Sequence, residues 1–391
     1  EASGVVAVQA GPRGPATWYG YLLMGYFTYL VSIQGNVLPF LQDELLLNYR
    51  EVSLHTSAIA VGIILGGGFS TDRLVRRFGR RRLMIVAGLG SAAAAILLTL
   101  APSMVVTLAA CLVIGGVGSV IPARIPAMLS DIFGPRRDIA FAEANAMSYA
   151  FAIMAPALSG LAALLGLGWR AAILAGALSG IVIVAAFFRT PLPPSVETPA
   201  SSAAPLPRAF WWYFAVLGLS VAVEFSMILW TPAYLERVIG LSPSAAALGT
   251  AAFFAAMLLG RLAGSPLFRM VPIQRLYPAA AATTFAGFAV YWTADTGTVA
   301  IAGLFVVGLG VALLYPLGQS YGIGVARAAA DRASARLTLA PGSAILSNPP
   351  LLGAIADTAG LHTAQLMTPV FMALGLGAFI GGEIARRRAG L

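Results

Sequence analysis

Apolar residues run along this chain in long blocks, broken by short polar or charged interruptions, and within a block apolar and polar positions do not alternate. Crossing the hydrocarbon core takes roughly 20 residues of helix. Blocks near that length lie at 18–40, 52–72, 82–101, 104–131, 139–165, 169–188, 209–235, 243–268, 274–294, 297–326, 333–357 and 364–384. A membrane barrel would instead show short alternating stretches, so twelve transmembrane helices are predicted.

Composition agrees with that pattern. The 391 residues are 59% hydrophobic and 10% charged, with a mean hydropathy of +0.86, whereas soluble domains are about 25% charged. The surplus apolar surface must face a lipid bilayer, where the backbone has to satisfy its own hydrogen bonds. The expected fold is an all-α membrane protein. Residues 1–17 read as an N-terminal tail lacking the basic and apolar pattern of a signal peptide. The segment 190–208, rich in Pro, Ser and Ala, reads as a linker. It separates six-helix bundles at 18–189 and 209–391.

The two bundles repeat one plan. Pro39 and Pro232 are 193 residues apart, in the contexts VLPFLQDEL and WTPAYLERV. Gly66 with Gly260, and Pro122 with Pro316, are each 194 apart; Pro156-x-x-x-Gly160 recurs as Pro349-x-x-x-Gly353 at 193. Four matches in order at a nearly constant offset predict two pseudo-symmetric halves. Such duplications build carriers, with a site near mid-membrane where the halves face each other. The prolines would bend the helices that gate it.

Charge sets the expected orientation. All 24 basic residues are arginine. Alternating the twelve helices puts nineteen of them, from Arg13 to Arg388, on one side and only Arg50, Arg170 and Arg237 on the other. That asymmetry predicts both termini in the cytoplasm of a cell with an inner, or plasma, membrane. It also argues against nucleic acid as a partner, because the arginines are scattered over loop ends without stacking aromatics between them.

The loop between the second and third blocks reads Gly68-Phe-Ser-Thr-Asp72-Arg73-Leu-Val-Arg-Arg-Phe-Gly79-Arg80-Arg81-Arg82. It resembles the loop signature of the major facilitator superfamily, with four extra residues between the Asp and the second Gly. A weaker copy, Gly260-Arg261-Leu-Ala-Gly264-Ser-Pro-Leu, begins at the equivalent place in the second half. The resemblance implies secondary transport, with Gly68, Asp72, Arg73, Gly79 and Arg80 in gating and Asp72 clasping the partner half. The seventh block also resembles that of the fucose-permease-like proton symporters, which carry a Glu followed by a Trp, here Glu224 and Trp230. The fourth block departs from that pattern: Ile121 stands where they have a carboxylate, and Ile125 where they have an Asn.

In the superfamily the first, fourth, seventh and tenth helices line the cavity, so the resemblance directs attention to polar residues there. Gln34, Asn36, Arg124, Trp230, Tyr315 and Gln319 are expected to bind a small-molecule substrate, and Glu224 to carry a proton. Arg124 could instead snorkel to the interface. Trp230 could be a lipid-interface or packing residue, and Glu224 a hydrogen-bonded packing residue. Asn145 and Asn348 are expected as interhelical hydrogen bonders, and His55 and His362 as caps near helix ends. The one cysteine, Cys111, lies in an apolar block, and no metal, nucleotide or nucleophile motif is present, so neither a cofactor nor an enzyme activity is expected. The expected function is proton-coupled symport of a sugar-like or carboxylate-bearing solute. The alternatives are a proton-driven exporter of amphipathic compounds and a nontransporting receptor.

Overall fold

The computed structural model describes residues 13–69, 77–193, 205–326, 329, 333, 336–337 and 339–390. The first half comprises α1 (Pro15–Ser32), α2 (Gln34–Leu45), α3 (Tyr49–Phe69), α4 (Arg80–Leu100), α5 (Met104–Gly118), α6 (Val120–Phe133), α7 (Arg137–Leu164) and α8 (Gly168–Ala186). The second comprises α9 (Arg208–Arg237), α10 (Pro243–Met270), α11 (Ile273–Trp292), α12 (Gly297–Val325), α13 (Leu339–Ala359), the short α14 (Leu361–Ala364) and α15 (Met367–Arg388). Taking α1 with α2, α5 with α6, and α14 with α15 as single broken spans, these make the twelve expected crossings in two six-span bundles. Eight of the described spans are long and apolar enough to cross a bilayer on those criteria alone. Leucines and valines such as Leu100, Val105, Leu164 and Leu178 are exposed on the outside, as a lipid-facing surface requires.

Ion pairs fix the up-and-down threading. Arg80, opening α4, bonds Asp131 near the end of α6 at 2.7 Å and the Pro193 carbonyl at 3.1 Å. At the opposite end Arg170, opening α8, meets Glu44 at the end of α2 and the Thr99 carbonyl of α4 at 2.9 Å. The first of these is called the basic end here, because most of the arginines gather there, and the second the far end.

The structure corrects several predicted boundaries. The first span continues to Leu45 because Gln42, Asp43 and Glu44, outside the apolar block, find guanidinium partners there. The fourth span breaks at Ser119, where Pro122 cannot donate to the Gly118 carbonyl one turn back. The first breaks at Ile33, not at Pro39: the Asn36 amide bonds the Ile33 carbonyl in a tight three-residue turn. The last span starts earlier than expected, with α14.

Packing carries the repeat as well. A Cβ on Gly115 of α5 would lie 2.1 Å from the Ile59 carbonyl oxygen of α3. One on Gly308 of α12 would lie 2.6 Å from that of Phe253 in α10. The two pairs sit 193 and 194 residues apart, so equivalent helices cross in backbone contact in both halves, where no larger residue fits.

Candidate functional site

At the far end the halves are pressed together. A Cβ on Gly353 of α13 would meet the Tyr49 carbonyl oxygen of α3 at 2.6 Å, and one on Gly160 of α7 the Ser244 carbonyl of α10 at 3.0 Å. The two halves of the proline-glycine repeat thus mark the two places where α3 crosses α13 and α7 crosses α10. Polar contacts seal the same end. Arg237, closing α9, donates to Gln42 at 2.7 Å, to Asp43 at 2.8 Å and to the Pro39 carbonyl at 3.3 Å, all in α2. Asp357 of α13 accepts from the backbone amides of Tyr49 and Arg50 at 2.7 and 3.0 Å, capping the start of α3 from the other half. Trp230 is buried beneath, 5.8 Å from the Tyr49 ring.

Toward the basic end the halves separate around a cavity of about 560 Å³. Ala142, Asn145, Ala146 and Tyr149 of α7 line one side; Leu258, Arg261, Leu262 and Gly264 of α10 and Leu313, Tyr315, Pro316 and Gln319 of α12 line the other. Its size falls in the range of small-ligand sites. The Arg261 guanidinium stands over the Tyr149 ring, 4.6 Å from its centroid, a cation–π contact between the halves. Glu224 of α9 is half-buried beside this group, and Arg261, Tyr149 and Tyr315 all lie within its electrostatic reach. Among the described residues no ion pair joins Glu224 directly to Arg261.

The expected site residues divide between the two regions. Tyr315 and Gln319, one turn apart on α12, both face the cavity. Gln34, Asn36 and Trp230 lie buried in α2 and α9 toward the closed end. Gln34 bonds the Leu30 carbonyl at 3.2 Å, while the side-chain amide of Asn36 and the Trp230 indole nitrogen have no hydrogen-bond partner among the described residues. The sequence leaves Gln34 and Asn36 competing for one inward face; both are enclosed. Arg124 is half-buried on α6 and is not among the cavity-lining residues. Arg80 braces its own half through Asp131, and Gly79 before it takes a φ of 78°, which favours glycine. Gly68 lies in the last turn of α3. Asp72 and Arg73 lie outside the described residues.

Other residues hold the bundles together. Asn348 joins α13 to α9 through the Ala222 carbonyl and Ser226, as expected, whereas Asn145, expected to bond between helices, turns back onto the Phe141 carbonyl of its own helix while lining the cavity. His55 links the Val52 carbonyl to Thr107. His362 meets the Tyr234 hydroxyl at 3.0 Å and stacks on Trp292.

Sequence reasoning passed over Arg261 and Tyr149 as site residues. Arg261 was visible only as the second residue of the weaker loop motif. A second signal lay in its depth: it stands nine residues before the end of α10, about 13 Å inside the helix end.

Comparison with known proteins bears on this architecture. The sequence profile of the Major Facilitator Superfamily matches residues 18–340. An uncharacterized MFS-type transporter from Yersinia pestis is 28% identical over 208 residues, covering 52% of this chain and 54% of that protein; the match therefore spans about half the length of that relative. Among solved structures, a bacterial homolog of the human lysosomal transporter Spinster, inward-facing and unoccupied, superposes with a TM-score of 0.77 at 15% identity, covering 96% of this chain and 98% of that one. A D-xylose–proton symporter gives 0.73 at 15% identity, covering 94% and 96%. At those identities the likeness is one of fold.

Proposed function

The chain belongs to the major facilitator superfamily, and from that premise we propose that it is a proton-coupled secondary transporter of a small polar solute, working by alternating access. The observation that carries this reading is the contrast between the ends. A cavity bearing Arg261, Tyr149, Tyr315 and Gln319 lies toward the basic end, and the far end is sealed by Arg237, Asp357 and the two glycine crossings. Rocking the halves about the cavity would open one end as it closes the other. Glu224, a lone carboxylate beside the cavity, is the proton carrier in this reading. The solved D-xylose–proton symporter of the same fold lends support by analogy.

The arginine asymmetry supports a cytoplasmic basic end, and on that reading the open cavity belongs to an inward-facing form. A cysteine added after Leu391 should react with an impermeant reagent only once cells are opened; labelling of intact cells would reverse the orientation. Asp72 is proposed to clasp the partner half, so Asp72→Asn should lower flux while ligand affinity changes only a few fold.

The coupling test begins with a thermal-shift screen of sugars, organic acids and cationic dyes, since a bound ligand stabilises the native state. The solute giving the largest shift is then followed in proteoliposomes. An imposed pH gradient should drive its accumulation in the wild type. Glu224→Gln, which imitates the protonated acid, should abolish accumulation and keep exchange. Full accumulation in Glu224→Gln would place the proton elsewhere, and binding without any flux would favour the receptor reading. The apolar wall of Leu258, Leu262, Leu313 and Pro316 also suits an exporter of amphipathic compounds, which the gradient orientation that drives flux would reveal.

A further inference from the structure

Five ion pairs join an arginine to a carboxylate among the described residues: Arg13 with Glu143, Arg80 with Asp131, Arg170 with Glu44, Arg237 with Asp43 and Arg386 with Glu383. The arginines of these pairs lie near helix ends. Arg261 is different. It sits nine residues inside the end of its helix, its Nε, like that of Arg80, is buried without a hydrogen-bond partner among the described residues, and, unlike Arg80, it has no described carboxylate in contact, since Glu224 acts on it only at a distance. A guanidinium in a membrane interior is costly unless an anion answers it. The face of Tyr149 answers it only in part.

From this arrangement we infer that Arg261 is the anion anchor of the cavity and that the ligand is a monocarboxylate with an apolar body. The planar guanidinium fork matches a carboxylate in a way that a single hydroxyl does not. Tyr315 and Gln319 stand on the same wall to complete the polar contacts. Leu258, Leu262, Leu313 and Pro316 offer the body a dry surface. One positive charge beside one ionisable acid also sets the stoichiometry of charge: a single anionic group balances Arg261 once Glu224 is protonated.

This inference rests on the reading of the cavity as the transport site, and it gives that reading its coupling step. While Glu224 is ionised, its field holds Arg261 and opposes a second carboxylate. A proton from the medium taken up by Glu224 removes that opposition, so ligand and proton bind together. Among the described residues, the charged and titratable groups within electrostatic reach of Glu224 are Arg261 from α10, Tyr149 from α7 and Tyr315 from α12; the two phenols are uncharged near neutrality.

The test uses the purified full chain and four probes: benzoate, hexanoate, benzamide and glucose. Calorimetric titration should give at least tenfold tighter binding of benzoate than of benzamide. Arg261→Gln should erase that preference, and Arg261→Lys should retain part of it. Benzoate stays ionised between about pH 6 and pH 8, well above the ordinary carboxylate range, so an affinity that strengthens as pH falls there reports a proton taken up by the protein. Benzoate affinity should be flat with pH, and at its tight limit, in Glu224→Gln. Should Arg261→Gln fail to fold, the Arg261→Lys and Glu224→Gln titrations decide alone. Equal binding of benzoate and benzamide, an unchanged preference in Arg261→Gln, or no binding of either carboxylate would overturn the anion anchor. Flux of glucose that survives Arg261→Gln would sink this inference and leave the transport reading standing. Benzoate binding with no flux of any probe would do the reverse.

Discussion

The two ends of this molecule are built from different materials. The far end closes largely by close approach at glycine: Gly353 lets α13 meet the Tyr49 and Arg50 backbone of α3, Gly160 seats against the Ser244 carbonyl and the Leu248 side chain of α10, and Asp357 caps a helix of the opposite half. The basic end is lined by side chains instead, with Arg261, Tyr149, Tyr315 and Gln319 standing around open space. Backbone contact resists gradual adjustment, so on the proposed alternating-access reading the far end is either joined or parted. A side-chain cavity can adapt to what enters it. On the proposed reading, closure falls to the far end and recognition to the cavity.

The contrast is most sharply broken by Gly353→Leu. Its side chain would have to occupy the space of the Tyr49 carbonyl, 2.6 Å from the Cβ position. Overpacking of this kind costs about 1–3 kcal/mol, and backbone has little room to give. The joined far end should lose about 5- to 150-fold in population, since tenfold corresponds to about 1.4 kcal/mol. Spin labels at Leu46→Cys and Thr296→Cys, both exposed at the far end, would report the parting in a Cys111→Ser background.

A smaller shift in the same direction is expected for Arg237→Gln. The lost guanidinium bonds reach Gln42, Asp43 and the Pro39 carbonyl, but the Asp43 side chain is 70% exposed, so solvent screening limits that arm. A change of about 1 kcal/mol, roughly fivefold in population, is expected for the remaining hydrogen bonds. Asp357→Ala removes one helix cap, worth typically about 1 kcal/mol, and an effect at or below that of Arg237→Gln should appear in the same label distance. Arg80→Ala is the control. Its pair with Asp131 lies within one half, so it should lower thermal stability by about 2 kcal/mol without moving the far-end distance. A far-end distance that follows Arg80→Ala and ignores Gly353→Leu would dissolve the division of labour between the ends.

The fold was legible because its causes are local. Lengths of apolar blocks gave twelve spans, and the repeat at 193–194 residues gave two halves; the glycines of that repeat mark the helix crossings. Helix ends were less legible where polar residues continue a span. Gln42 to Glu44 end an apolar run, yet they stay helical because Arg237 and Arg170, distant in sequence, bond them. The cavity was legible in part. Tyr315 and Gln319 stand out as polar residues of the tenth block, which lines the cavity in the superfamily the sequence resembles, whereas Arg261 and Tyr149 do not, because their pairing across the halves depends on α10 crossing α7. Glu224 and Arg124 were both conspicuous as charges within apolar blocks, but the arginine in electrostatic reach of Glu224 is Arg261, which the loop motif had concealed.

The central claim is that the two ends exchange roles, and the most direct measurement follows both at once. Labels at Leu46→Cys and Thr296→Cys report the far end, and labels at Arg189→Cys and Arg275→Cys, exposed near the basic end, report the other; each pair is measured by electron–electron distance in lipid, with and without Gly353→Leu. The account predicts that Gly353→Leu lengthens the far-end distance and shortens the basic-end distance. Two distances that stay fixed, or that change with the same sign, would contradict it.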